Sequence, residues 1–122
     1  MFSAPKVEAW IGRVEDVLEV LDRIASFLGK TDRASFVADK WTVGALSYQI
    51  LIIAEATKAM APGLDDRHPA VAWKSLWGMR NIIAHEYGRV DPGMVWQAAT
   101  VDLAPLRAAM LAEKEWLEGR QA

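Results

Sequence analysis

Apolar residues at Val7, Trp10, Ile11, Val14, Val17, Leu18, Leu21, Ile24, Ala25 and Leu28 recur three and four positions apart, so they form one stripe of a long amphipathic helix. Ser3 to Pro5 carry its start signals, and Gly29 is placed to stop it in a left-handed cap. The opposite face holds Glu15, Asp16, Glu19, Asp22 and Arg23, the pattern of a solvated surface. Residues 31–39 read as a short helix capped by Thr31, with Phe36 turned to the core. Leu46, Gln49, Ile50, Ile53 and Met60 mark a second long helix from Thr42 to Met60, ended by Pro62-Gly63. His68-Pro69 offers a proline at the first helical position and predicts a third long helix running to about Tyr87, before Gly88. Asp91-Pro92 repeats that signal for a fourth reaching Glu118, bent or broken near Pro105.

No segment alternates with the period of a strand, and no repeat or low-complexity run occurs. The predicted fold is all-α, an antiparallel four-helix bundle with an extra short helix. A length of 122 residues is that of one domain spanning 1–122. The longest apolar run, Ile50 to Ala54, meets Glu55 far short of the ~20 residues that span a bilayer. No signal peptide is readable at the N-terminus, and no cysteine is present, which suits a reducing, cytoplasmic setting. The net charge of −2 supplies no global attraction to nucleic acid, so RNA binding would need a local basic patch.

On the third helix, Asn81 and His85 are one turn apart, and Gly78 and Lys74 continue their face backwards. Leu76, Met79 and Ile83 fall nearly opposite and are assigned to the core, so the polar seam points out of the protomer. A bare glycine in that seam permits close approach of another backbone, which makes Gly78 and Lys74 candidates for a dimer interface. Arg80 stands about 140° round the helix from His85, an arrangement that favours a site assembled from two copies about a two-fold axis, or a helix already unwound by His85. If the helix persists, Tyr87 lies about 20° from Arg80.

The spacing Arg80, four residues, His85, one residue, Tyr87 is specific. Shuffling the chain yields Arg and His at that spacing about 0.13 times, and the added tyrosine lowers this to roughly 0.002. The run resembles the motif of the HepT group within the HEPN superfamily. The likeness extends to Ser35-Phe36-Val37-Ala38-Asp39, to Ile53-Ala54-Glu55-Ala56, to Trp73, to Gly78-Met79 ahead of Arg80, and to Asp91 through Trp96, covering roughly Val7 to Leu106. Ala54 stands where similar proteins have glycine, a change that bears on packing rather than chemistry.

The resemblance implies a homodimer whose motif helices face each other across a shared cleft. It implies a metal-independent ribonuclease without cofactors, acting on an RNA such as tRNA or mRNA. It further implies a minimal nucleotidyltransferase antitoxin that adenylylates Tyr87. In that chemistry His85 suits proton transfer, since imidazole titrates near neutrality. Arg80 suits phosphate through its charged planar fork, and Asn81 can hold the imidazole or a phosphate oxygen. The alternative function is a non-catalytic HEPN subunit that binds substrate for a nucleotidyltransferase, a reading that the acidic net charge keeps open.

Other chemistry-bearing residues have plainer readings. His68 with Asp65, Asp66 and Arg67 could hold a metal, but loop solvation and capping fit a cluster in a connection better. Glu55, on an otherwise apolar helix, either contributes to the cleft or forms a buried ion pair with a neighbouring helix. The six tryptophans are assigned to core and interface packing.

Overall fold

The computed structural model describes residues 4–121, with the side chains of Ala4 and Tyr87 outside the description. Its elements are α1 (Ala4–Leu28), α2 (Arg33–Val37), α3 (Lys40–Lys58), α4 (Leu64–Arg67), α5 (Trp73–His85), a 3-10 turn (Tyr87–Arg89), α6 (Pro92–Gln97), which runs on as a π-helical turn (Ala98–Asp102), and α7 (Leu106–Glu118). No strand occurs among the described residues, and the helices pack as an antiparallel bundle. No helix among them is long and apolar enough to cross a membrane.

α1 lies between α7 and α3, and α3 in turn carries α5 on its other flank. The α1 stripe is buried as its period requires, with Val14 and Val17 fully enclosed. Ile50 and Ile53 of α3, Met110 and Leu117 of α7, and Phe36 of α2 complete the centre. The outer acidic face of α1 is tied to α7 by Arg107 with Asp22 and by Lys114 with Glu15 at 3.4 Å.

Several boundaries differ from the sequence expectation. Ser3 lies outside the described residues. Gly29 does not adopt positive φ; of the described glycines only Gly63 does, at 128°, so α1 ends in an ordinary turn. The cap of α2 is Asp32 and not Thr31, its Oδ1 accepting from the Ser35 N–H at 2.8 Å, a bond that holds the carboxyl below its ordinary range. Asp39 likewise caps α3 two residues earlier than expected, accepting from Trp41 N–H at 3.0 Å. The chain is broken around Pro105 as its ring demands, between the π turn and α7.

The third long helix begins at Trp73, not at Pro69. His68 ends α4 at φ −130°, because a residue before proline is pushed out of the helical region. Its carbonyl then accepts from the Trp73 indole N–H at 2.8 Å, so the segment between is spent on a turn. At the other end Glu86 leaves helical geometry at ψ 45°, and α5 stops at His85 rather than Tyr87.

Candidate functional site

α5 is held in place from beneath. Leu76, Met79 and Ile83 are buried, and the Trp77 indole donates to Thr57 Oγ1 of α3 at 3.1 Å. Thr57 passes its own hydrogen to the Ile53 carbonyl at 2.8 Å, so the indole has a fixed acceptor. Trp73 and Trp77 stack at 5.4 Å between ring centres. Anchored on that side, the helix leaves Lys74, Gly78, Asn81 and His85 exposed in one line. A Cβ built on Gly78 would meet nothing within 4 Å.

Helical geometry persists through His85, so Arg80 emerges about 140° from it, on the flank facing α3. There its Nε lies 2.9 Å from Glu55 Oε1. The N–H is not aimed along that line, so the contact is an ion pair rather than a hydrogen bond. Nη1 reaches back toward the seam and donates to Asn81 Oδ1 at 3.1 Å. Asn81 therefore engages Arg80, not the imidazole, and its amide N–H groups remain for other partners. The His85 side chain makes no hydrogen bond or ion pair among the described residues. Glu55 is thus a half-exposed partner of the motif arginine, which settles its sequence ambiguity in favour of an inter-helix pair, although not a buried one.

The side chain expected to be modified, that of Tyr87, lies outside the described part. Its backbone opens the 3-10 turn after α5, so the angular relation to Arg80 that a continuous helix would impose does not hold. Arg89 turns back to pair with Glu86 at 2.6 Å.

The family profile described as Ribonuclease HepT-like matches residues 17–112, most of the chain and all of this site. The chain belongs to that family. Among similar proteins, "Probable ribonuclease HepT" of Thermococcus cleftensis is 29% identical over 94 residues, 77% of this chain and 86% of the relative. "Putative RNase MJ1216" of Methanocaldococcus jannaschii is 28% identical over 92 residues, 75% of this chain and 76% of the relative. No solved structure matches the chain significantly. The HepT-like match runs from within α1 to within α7.

Other polar residues of this HepT-like protein lie away from the seam. Glu113 of α7 is fully buried, and its carboxylate accepts from Arg67 Nε at 3.0 Å and Nη2 at 2.5 Å, with His68 Nε2 at 2.9 Å. Burial acts to raise its pKa, but the hydrogen bonds from Arg67 and His68 outweigh this and hold the carboxyl below its ordinary range. The Arg67 and Arg120 guanidinium groups both lie over the Trp116 ring, at 3.7 and 3.6 Å. His68 thus belongs to a partly buried ionic cluster, not to a solvated loop, whereas Asp65, within α4, accepts from the Gly63 N–H at 3.1 Å at the start of that helix. Sequence reading missed this cluster because its members are 45 and 46 residues apart. Among the described residues no group of three or more His, Asp and Glu is placed to hold a metal.

Proposed function

We propose that this HepT-like protein is a metal-independent endoribonuclease and the toxin of a type VII-like toxin–antitoxin pair. It works as a homodimer and is silenced by a minimal nucleotidyltransferase that adenylylates Tyr87. The observation that carries the reading is the exposure of Asn81 and His85 on a helix whose other face is buried, with the Arg80 guanidinium hydrogen-bonded to Asn81. A histidine and an arginine kept out of the core, in a chain of a ribonuclease family, are available to a phosphodiester.

His85 takes the proton of a ribose 2′-hydroxyl, and the oxygen attacks the adjacent phosphorus. The bond from phosphorus to the 5′-oxygen breaks, and that oxygen leaves with a proton supplied by water or returned by the protonated His85. The products are a 2′,3′-cyclic phosphate and a 5′-hydroxyl end. Arg80 offsets the charge that grows on the phosphoryl oxygens, and Asn81 orients it.

Two features support a two-fold site. Gly78 and Lys74 mark where two α5 helices can approach across a cleft. On α3, Trp41 is 89% and Tyr48 60% exposed, and with Ile52 they form one stripe leading to Glu55 and Arg80. An apolar stripe of that kind is what a subunit contact covers, and Trp41 is therefore assigned to an interface, not to the core. A second reading, a non-catalytic subunit that presents substrate to a nucleotidyltransferase, is favoured by the net charge of −2.

The deciding experiment incubates the purified chain with cellular RNA in excess chelator and maps the new ends. Cyclic phosphate ends that vanish with His85→Ala support the ribonuclease. Ends that appear only with a divalent metal, or no cleavage alongside tight binding to a nucleotidyltransferase, support the alternatives.

A further inference from the structure

On the flank of α5 away from Arg80, the surface falls into a groove of about 630 Å³ whose far walls are α2 and α6. Its apolar floor is Met79, Ile82 and Met94, and Gly78 bares the backbone along the margin shared with the seam. Arg33 extends into it from α2. Its Nη2 lies 2.8 Å from where a Cβ on residue 93 would stand, so glycine there is what leaves the guanidinium its seat. Among the described residues neither the Arg33 nor the Lys74 side chain has a hydrogen bond or an ion pair, and Lys74 lies on the margin assigned to the subunit contact. Asp91, also in the lining, caps α6, its Oδ1 accepting from Gly93 N–H at 3.0 Å.

With Asp91 and Asp102 also in the lining, the groove is a poor trough for a run of phosphates. It suits one nucleotide. Its volume falls in the range of about 300–1,000 Å³ typical of small-ligand sites. Methionine sulfur and isoleucine offer a floor for a planar base, and the unpaired Arg33 guanidinium offers a fork for one phosphate. Gln97 and Asp102 add an amide and a carboxylate to the lining, groups that match the donors and acceptors of a base edge.

We infer that this groove binds a single nucleotide of the RNA strand next to the bond cut at His85, with Arg33 as its phosphate-binding residue. The inference rests on the ribonuclease reading for its substrate. It adds a binding residue outside the Arg-His-Tyr motif, carried by a different helix.

The test uses the full chain and two measurements. Steady-state cleavage of an RNA cut by the wild type is compared in Arg33→Ala, Arg33→Lys and Gly93→Ala, the last displacing the guanidinium tip with little strain on the fold. Binding of a labelled single-stranded oligoribonucleotide of random sequence is measured in a His85→Ala background. Arg33→Ala is expected to raise KM about tenfold with kcat changed less than twofold, and to weaken oligonucleotide binding by a similar factor. Gly93→Ala should do the same with unchanged helix content, and Arg33→Lys should recover part of the loss. If the wild type cleaves but Arg33→Ala keeps its KM and binding, the groove assignment is wrong and the ribonuclease reading stands. If the wild type cleaves nothing yet binds the oligonucleotide through Arg33, the ribonuclease reading fails and the groove stands. No binding and no cleavage overturn both.

Discussion

Arg80 pairs with Glu55 of α3 at 2.9 Å, on the flank of α5 turned away from His85. The two motif residues are thus held to different sides of one helix, and a phosphate touching both is most simply served by two subunits. Mixing Arg80→Ala with His85→Ala protein tests this. Each alone should lose about a hundredfold or more in cleavage. Subunit exchange should restore about a quarter of wild-type activity, because half the dimers are mixed and each holds one intact site. No recovery on mixing, with exchange verified by mass, would place the site within one protomer.

Gly78 is open above its Cα and sits mid-seam. Gly78→Leu is expected to shift sedimentation toward monomer while far-ultraviolet circular dichroism stays unchanged, since the position is exposed and a Cβ there meets nothing within 4 Å. An unaltered association constant would locate the subunit contact elsewhere, with the Trp41 and Tyr48 stripe the first place to look.

Glu113 links stability to pH. Its carboxyl titrates below the ordinary glutamate range in the folded chain, so its contribution is fully present above the unfolded pKa and is lost as pH falls through the folded pKa. Glu113→Ala leaves Arg67 without its buried carboxylate and should cost about 3 kcal/mol near neutrality. Urea midpoints of wild type and variant should converge on acidification. A gap that is constant down to strongly acidic pH would show that Glu113 contributes by packing alone.

Tyr87→Phe retains the ring and removes the hydroxyl. With ATP and the cognate transferase, the wild type should gain mass and lose cleavage, whereas Tyr87→Phe should remain unmodified and active. A mass shift that persists in Tyr87→Phe would assign the modification to another residue.

The helical period alone determined the bundle, because burial of Val14, Val17, Ile50 and Leu76 follows from spacing that any packed helix must satisfy. The same spacing determined that Asn81 and His85 share an outward face while Arg80 does not, since angles within one helix are set by backbone geometry. Helix ends were less legible: α5 starts at Trp73 because the His68 carbonyl is taken by an indole and its ring by Glu113, contacts that no local signal announces. Pairings between elements were decided only by the tertiary structure. Glu55 meets Arg80, Glu113 collects Arg67 and His68, and Arg33 settles over Gly93, each joining residues at least 25 positions apart. Propensity and periodicity act over a few turns, whereas which charged groups meet depends on how helices dock, and docking is chosen by the whole core at once.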